Sequence, residues 1–289
     1  MTYPCAKINL GLNVVARRPD GYHDLETVFY PIPLCDELDV MLVNEEFPES
    51  NWRPVYLKMW GDEAVDCHAD ENLVVKTYYL LKKDFPLLPE LEFQLKKQIP
   101  SQAGLGGGSS DAAAAIRLLN EHPRIRLGLS NEQMERYAAQ LGADCAFFIQ
   151  SKPCFATGIG NQMTIFDDLQ GLLDGYFIAI VKPDVAVSTR EAYAAITPKK
   201  PEKCCLDVVL QPIETWRDEL TNDFELSVFA KHPELADIKR KLYENGAIYA
   251  QMSGSGSAFF GIFKENPTEI DKIFPDCKTF VLKIKPSKS

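Results

Sequence analysis

A glycine-rich stretch at residues 100–112, PSQAGLGGGSSDA, contains residue types that can hold a phosphate group. Glycine adopts positive φ at little cost, so successive backbone N–H groups of such a loop can turn towards one anion. Ser109, Ser110 and Asp111 precede an alanine run, which predicts that they cap a helix beginning near Ala112. An anion there would meet loop amides and the positive end of a helix together. The alternative is a glycine-rich turn without a ligand.

The spacing of this loop differs from that of the common nucleotide-binding loops. A Walker A loop ends in Gly-Lys-Ser/Thr, and no lysine lies among residues 101–116. A dinucleotide fingerprint needs glycine at its first, third and sixth positions, but the sixth position counted from Gly104 is Ser109. The glycine loop of protein kinases fails on the same spacing. The remaining pattern is Pro-x-x-x-Gly-Leu-Gly-x-x-Ser-Ser, at residues 100–110.

Two charged residues lie in otherwise apolar segments. Asp144 follows Gly142 in the segment LGADCAFF, and Lys7 is the charge in the middle of an uncharged run. A carboxylate near a hydroxyl can take its proton, and a nearby cation can keep that carboxylate ionised. Each residue also has a structural explanation, since Asp144 could cap a short helix and Lys7 could point to solvent. The residue types alone leave both interpretations open.

The elements that must position these residues follow from the hydrophobic periodicity. Residues 5–14 alternate with period two, which predicts a half-buried strand that carries Lys7 and Asn9 side by side on its polar face. Further strands are predicted at residues 27–42, 55–60, 91–97, 176–182, 247–252, 258–263 and 279–284. Helices are predicted at residues 73–82, 131–141 and 233–244.

Capping signals refine two of the helix boundaries. Ser130 and Gln133 have the spacing of a capping box in front of the helix at 131–141, and Gly142 should end that helix. A second capping box is predicted at Ser188 and Glu191.

The composition restricts the class of protein. With 289 residues the chain has room for two domains or one large one, and 46% hydrophobic residues are ordinary for a globular protein. No apolar run approaches the ~20 residues of a membrane helix, and the sequence does not begin like a signal peptide. We therefore expect a cytoplasmic protein. A net charge of −10 argues against a broad nucleic-acid surface but is compatible with binding one nucleotide.

The eight cysteines are expected to be reduced and mostly buried. They form no C-x-x-C pair, and Cys67-His68 stands alone, so a zinc site is not expected.

Three segments resemble, in order, the three motifs of the GHMP kinases, a superfamily of small-molecule kinases. They are AKINLGLNV near the N-terminus, PSQAGLGGGSSDAAAA in the middle and QMSGSGSAFFGIF near the C-terminus. The resemblance implies an α+β, two-domain GHMP kinase fold. Its ribosomal-protein-S5-like, ATP-binding N-terminal domain would cover residues 1–158, and its ferredoxin-like substrate domain would cover residues 159–289. It also implies ATP and Mg²⁺ as cofactors, a small-molecule acceptor, and a monomer or homodimer.

The resemblance assigns roles to the charged residues and to the loop. Asp144 would be the base, and Lys7 would keep it ionised while stabilising the transferring phosphoryl group. The family usually has Val-Pro after this aspartate; this chain has Cys145-Ala146, which we interpret as a packing change without loss of chemistry. No carboxylate pair stands out as a magnesium ligand, and Ser109 offers only a hydroxyl. The implied ATP-binding residues are Pro100, Gln102, Ala103, Gly104, Leu105, Gly106, Gly107, Gly108, Ser109 and Ser110.

The segment RRPDGYHDLETVF at residues 17–29 resembles the signature of those GHMP kinases whose acceptor is a cytidine-diphosphate-linked polyol. Stacking on an aromatic ring contributes about 1–3 kcal/mol per base. The turn signal Pro19-Asp20-Gly21 would project Tyr22 and His23 together. By similarity, Tyr22 stacks on one face of the base and Tyr193 on the other, while His23 reads the base edge. The alternative is a turn with an exposed aromatic residue.

The remaining acceptor contacts are also implied by the resemblance. Asn9 would contact the polyol or phosphate end of the acceptor, and Thr189 would lie near the same pocket. The third motif, at residues 253–257, would approach a ligand or the glycine loop, or would simply form a hairpin corner. Two other functions stay open at this point: a GHMP kinase for homoserine or a mevalonate-type acceptor, and a catalytically inactive nucleotide-binding sensor.

Overall fold

The computed structural model of the chain describes residues 1–43, 54–63 and 69–286. The pair Cys67-His68 lies outside these residues. The chain divides into two compact units, each made of separate stretches of sequence. The first unit comprises Met1–Ala6, Leu34–Ser101 and Gly106–Ser151, and the second comprises Lys7–Pro33, Gln102–Leu105 and Lys152–Ser289.

Strands and helices alternate irregularly along the chain. The strands are β1 (Cys5–Arg17), β2 (His23–Cys35), β3 (Glu37–Leu42), β4 (Val55–Trp60), β5 (Leu91–Lys96), β6 (Cys154–Thr157), β7 (Gln162–Ile165), β8 (Phe177–Pro183), β9 (Tyr249–Met252), β10 (Phe259–Phe263) and β11 (Cys277–Lys283). The helices are α1 (Leu73–Asp84), α2 (Gly107–Glu121), α3 (Asn131–Leu141), α4 (Phe147–Gln150), α5 (Thr189–Ala194), α6 (Cys205–Val209), α7 (Trp216–Glu219), α8 (Phe224–Lys231), α9 (Pro233–Glu244) and α10 (Ile270–Ile273).

The first unit contains a three-stranded sheet of order β3-β5-β4. Its central strand β5 runs antiparallel to β3 and parallel to β4, with Phe93 opposite Val40 and Leu57. Burial alternates along β5, so that Leu91, Phe93 and Leu95 face the core. The helices α1, α2 and α3 pack against one another in the same unit.

Two four-stranded sheets form the framework of the second unit. One has the order β1-β2-β6-β7 and the other the order β11-β8-β10-β9. The pairings of β8 with β10 and β11, and of β10 with β9, are antiparallel. Apolar residues from β1, β8, β9, β10, α8 and α9 form one core cluster, which includes Leu12, Val181 and Phe259.

The predicted strand at residues 5–14 is present as β1, but the prediction that one of its faces is exposed is wrong. Alternation predicted one buried face, yet both faces are covered along most of the strand. Lys7, Asn9 and Asn13 are 3%, 2% and 5% exposed. The polar face is therefore an internal surface, and the suggestion that Lys7 points to solvent is wrong.

One of the two predicted capping boxes is present and the other is not. The capping box of Ser130 and Gln133 is present at the start of α3, and Gly142 ends that helix. The box predicted at Ser188 does not form, because the Ser188 side chain makes no capping bond and Glu191 pairs instead with Lys231 at 2.8 Å.

The start of α2 also differs from the expectation. The helix begins at Gly107, after an N-cap at Gly106, so Ser109, Ser110 and Asp111 lie inside it and do not cap it. Gly106 makes this earlier start possible, because its φ of +74° lies in the left-handed region that glycine tolerates.

No helix within the described ranges has the length and apolarity needed to span a bilayer. Seven cysteines lie in the described ranges and all have free thiols; Cys145, Cys154 and Cys205 are buried and the other four are half-buried.

Candidate active site

The buried ammonium of Lys7 is the centre of a hydrogen-bond network on the inner face of β1. Lys7 Nζ donates to Asn9 Oδ1 at 2.6 Å and to the carbonyl oxygen of Gly104 at 3.0 Å. It also lies 5.1 Å from the centroid of the Phe29 ring. Residues two apart in a strand share a face, which is why Lys7 and Asn9 meet. A cation held in these surroundings interacts more strongly with a developing negative charge than a cation in water does.

Asn9 extends this network to β2. Its Nδ2 donates to Thr27 Oγ1 at 2.9 Å, and the Thr27 hydroxyl donates to the Gly11 carbonyl at 2.5 Å. Both residues are almost fully buried. The amide of Asn9 therefore has a fixed orientation, with its oxygen towards Lys7.

The first half of the glycine loop reaches Lys7 through Gly104. The backbone N–H of Lys7 donates to Leu105 O at 2.9 Å, which fixes the loop to the strand. Gly104 has a φ of +74°, and a Cβ atom at this position would lie 2.0 Å from the Ser253 carbonyl oxygen. Only glycine fits here, because any side chain would collide with that backbone atom.

The third motif, residues 253–257, packs on the same part of the loop. Ser253 Oγ donates to Gly104 O at 2.9 Å, and Ala258 N donates to Ala103 O at 3.2 Å. The Gly104 carbonyl thus accepts from both Lys7 and Ser253. The third motif is therefore more than a hairpin corner, because it holds the glycine loop directly.

The second half of the glycine loop leads into α2. The N-cap Gly106 has no side chain that could cap the helix, so the first N–H groups of α2 point out of the helix without a side-chain acceptor from that position. Such N–H groups at the positive end of a helix form a site for an anion such as phosphate. A Cβ on Gly107 would lie 2.9 Å from Ile99 Cγ2, so a larger residue there would displace the Ile99 side chain.

A buried cluster of three charged residues fixes the start of α2. Lys97 Nζ donates to a carboxylate oxygen of Asp36 and, at 2.7 Å, to Asp111 Oδ2. Asp36 also accepts from the backbone N–H of Ile99 at 2.9 Å. Burial raises the pKa of Asp111 to about 7, although Lys97 opposes that change. Asp111 Oδ1 is buried and has no hydrogen-bond partner, so the cluster has one carboxylate oxygen more than Lys97 satisfies.

Asp144 lies in a turn of the first unit, between α3 and α4. It does not cap α4, since the N-cap of that helix is Ala146. Beside it, the buried Cys145 has a thiol pKa raised to about 11 by burial, while a hydrogen bond with Ser109 acts in the opposite direction. This bond joins the turn of Asp144 to the first turn of α2. Lys7 belongs to the second unit, and the pairing of Lys7 with Asp144 remains a prediction.

The aromatic residues predicted for a base lie on the β1–β2 turn and on α5. The rings of His23 and Tyr193 are stacked, with centroids 5.0 Å apart and an interplanar angle of 21°. Phe224 supports Tyr193 edge-on at 4.8 Å. Tyr22 is 61% exposed. The structure therefore brings His23 and Tyr193 together, whereas Tyr22, the residue before His23, is exposed to solvent.

Arg18 holds the turn that carries Tyr22. Its guanidinium pairs with Asp20 at 3.0 Å and with Asp24 at 3.1 Å, and its backbone N–H donates to Tyr22 O at 2.8 Å. The Arg18 side chain lowers the pKa of Asp20. The turn predicted from Pro19-Asp20-Gly21 is present.

Thr189 connects this region to the third motif. It is the first residue of α5, and its Oγ1 lies 3.1 Å from Ser255 Oγ. Of the remaining loop residues, Ala103 and Leu105 are buried, whereas Gln102 is exposed with a φ of +50°.

Within the described residues, no group of three or more His, Cys, Asp or Glu side chains is arranged to hold a metal ion. The orphaned oxygen Asp111 Oδ1 is buried beside Lys97. The first turn of α2 carries the half-buried hydroxyl of Ser109, which hydrogen-bonds with Cys145.

Two buried polar residues were not predicted from the sequence: Thr27, which accepts from Asn9 in the second unit, and Lys97, which pairs with Asp111 in the first. Lys97 continues the buried face of β5, two residues after Leu95, so the period-two pattern could have identified it as a buried charge. Thr27 contacts Asn9, which lies 18 residues earlier in the sequence, and no local pattern identifies it.

Comparison with known proteins gives consistent matches. The family described as GHMP kinases N terminal domain matches residues 72–152, and GHMP kinases C terminal matches residues 207–276. The chain is 52% identical over 268 residues to a Bacteroides thetaiotaomicron protein named 4-diphosphocytidyl-2-C-methyl-D-erythritol kinase, with 93% of each chain covered. A Bacteroides fragilis protein of the same name is 49% identical over 273 residues, with 94% of this chain and 95% of the relative covered.

A solved structure agrees with these matches. The crystal structure of a 4-(cytidine 5'-diphospho)-2C-methyl-D-erythritol kinase superposes with a TM-score of 0.80 at 27% identity, covering 97% of both chains.

Proposed function

The chain belongs to the GHMP kinase family, and from this premise we propose that it transfers a phosphoryl group from ATP to the 2-hydroxyl of 4-diphosphocytidyl-2-C-methyl-D-erythritol. This reaction belongs to the non-mevalonate route to isoprenoids. The relatives at 49–52% identity carry the name of this kinase. The observation that carries the chemistry is the buried Lys7 ammonium, fixed by Asn9 and by the glycine loop.

The catalytic step needs positioning and charge stabilisation more than covalent chemistry. The acceptor hydroxyl attacks the γ-phosphorus of ATP, the bond to the β-phosphate oxygen breaks, and ADP leaves. We assign Asp144 to accept the hydroxyl proton and Lys7 to stabilise the negative charge on the transferring group. The hydrogen bonds from Lys7 to Asn9 and Gly104 hold the ammonium in one position before the substrates arrive.

The donor side is assigned to the glycine loop. The N–H groups that begin α2 suit the phosphates of ATP, because they lie at the positive end of the helix. GHMP kinases use ATP as phosphate donor, and Mg²⁺ would neutralise phosphate charge when bound with it. Phosphate oxygens and water supply most ligands of such a magnesium ion, and Ser109 would add its hydroxyl. Asp111 is buried against Lys97 and is assigned to hold the helix rather than the cation.

The acceptor side is assigned to the aromatic residues and to β1. Tyr22 and Tyr193 are assigned to the two faces of a cytosine and His23 to its edge. In this structure the His23 ring itself lies on one face of Tyr193, with centroids 5.0 Å apart. Asn9 lies beside Lys7 and suits the polyol end, where the hydroxyl must meet the phosphoryl group. Thr189 is placed against the third motif by its contact with Ser255.

A parallel acceptor assay tests this function. ATP consumption is measured with 4-diphosphocytidyl-2-C-methyl-D-erythritol, homoserine and mevalonate at equal concentrations. Turnover with the first alone is expected. Turnover with homoserine or mevalonate would instead support another GHMP kinase activity, and nucleotide binding without any turnover would support an inactive sensor.

A further inference from the structure

A buried asparagine outside the motifs holds the third motif in place. Asn222 lies two residues before α8 and is 2% exposed. Its Nδ2 donates to Met252 O and to Gly254 O, both at 2.8 Å, and its Oδ1 accepts from Phe224 N at 3.0 Å. Both donors of the amide are used, so its orientation is determined by three backbone partners. The two carbonyls that it binds lie on either side of Ser253.

The backbone of Asn222 is tied to β1. Leu12 N donates to Thr221 O at 2.8 Å, and Asp223 N donates to Leu12 O at 2.9 Å. Asp223 Oδ2 accepts from Val14 N at 2.7 Å. The strand β1, which carries Lys7, therefore also binds the segment 221–223. Lys7 and Asn222 are thus both attached to the same strand.

A neighbouring carboxylate restrains the same backbone. Glu225 accepts from Met252 N at 2.9 Å and pairs with Lys239 Nζ at 2.6 Å. Two side chains of one short segment thus hold the end of β9. Glu225 binds the N–H of Met252, and Asn222 binds the carbonyls of Met252 and Gly254.

The connection from Asn222 to the reacting groups runs through Ser253. Ser253 Oγ donates to Gly104 O at 2.9 Å, and the same carbonyl accepts from Lys7 Nζ at 3.0 Å. The backbones of Gly104 and Ser253 are packed so closely that neither can move independently, since a Cβ on Gly104 would lie 2.0 Å from the Ser253 carbonyl oxygen. A displacement of Ser253 therefore displaces Gly104 and one of the acceptors of the Lys7 ammonium.

We propose that Asn222 is a positioning residue for phosphoryl transfer, which acts through Ser253 and the Gly104 carbonyl on the Lys7 ammonium. The inference rests on the proposed function, because it assumes that Lys7 stabilises the transferring phosphoryl group. Asn222 itself does not touch substrate. Misplacement of a catalytic group by about 1 Å can lower the rate about 100-fold. A residue that fixes the position of Lys7 through two intermediate residues can therefore affect turnover without touching substrate.

The test uses the full chain with Asn222→Ala, Ser253→Ala and the double variant. We expect kcat to fall about 10–100-fold in Asn222→Ala and about 3–30-fold in Ser253→Ala, since each removes part of one connection. The KM of the cytidylyl acceptor should stay within about twofold, because the base contacts are not on this path. The kcat of the double variant should lie within about twofold of the kcat of the more impaired single variant, because both substitutions act on the same link.

The controls separate this role from folding and from the proposed function. Asn245→Ala removes an amide-to-carbonyl bond of the same length at an exposed position, from Asn245 Nδ2 to Lys241 O at 2.8 Å, and should leave kcat unchanged. Wild-type kcat in Ser253→Ala would overturn the inference even if Asn222→Ala fails to fold. Where all three variants fold, losses that multiply in the double variant would also overturn it. An inactive wild-type chain would refute the proposed function instead.

Discussion

Replacing Lys7 by methionine separates catalysis from folding at the centre of the site. Methionine has nearly the same length, so it keeps the packing of β1 while removing the ammonium. The Gly104 carbonyl still accepts from Ser253 Oγ at 2.9 Å, whereas Asn9 Oδ1 loses its donor at 2.6 Å. An unmet buried acceptor costs about 1–3 kcal/mol, and removal of a buried charge offsets part of that cost.

The expected stability change is therefore small. A net loss of about 1–2 kcal/mol shifts the Tm of a chain of this size by only a few degrees. Loss of a positioned charge that stabilises a transition state lowers kcat by about 10²–10³-fold. Lys7→Met should thus keep its fold and lose most of its turnover.

The assay couples ADP release to a spectroscopic signal and follows Tm in parallel. Lys264→Met serves as the control, because Lys264 is exposed and pairs with Glu214 at 2.7 Å. The control should retain wild-type kcat. A Lys7→Met variant whose folded fraction has a kcat within threefold of wild type would refute the catalytic assignment.

Three further substitutions test other parts of the site. Asp144→Asn should lower kcat about 10²–10⁴-fold while nucleotide binding is largely kept. Calorimetric titration with ATP measures the retained nucleotide affinity. Tyr22→Ala should raise the KM of the cytidylyl acceptor about tenfold or more while that of ATP is nearly unchanged; equal effects on both would contradict stacking. The raised pKa of Asp111, about 7, means that the folded state binds its proton more tightly than the unfolded state, so this group makes stability fall as pH rises from about 4 to 7. Urea unfolding at pH 5 and pH 7 should therefore show a smaller decrease for Asp111→Asn than for wild type, and equal decreases would contradict this linkage.

Local patterns predicted the elements with clear periodicity and end signals. The bounds of β4 and α9 agree with the prediction, and α3 begins and ends as its capping residues indicate. These features depend on neighbouring residues, which is why one sequence is enough to predict them.

Contacts between residues distant in sequence determine the features that local patterns did not predict. The polar face of β1 appeared exposed because its partners, Gly104 and Thr27, follow 97 and 18 residues later than Lys7 and Asn9. Asp111 was predicted to be a helix cap because its partner Lys97, directly after β5, lies 14 residues earlier in the sequence. The buried role of Asn222 depends on a segment 30 residues away.

Phosphorus NMR of the reaction mixture tests the central claim most directly. ATP, Mg²⁺ and 4-diphosphocytidyl-2-C-methyl-D-erythritol are incubated with the chain, and the products are followed over time. The predicted result is a new phosphomonoester signal, formed in equal amount with ADP, whose phosphorus is coupled to carbon 2 of the polyol. ADP without a phosphomonoester, or an unchanged spectrum while homoserine or mevalonate is phosphorylated, would contradict it.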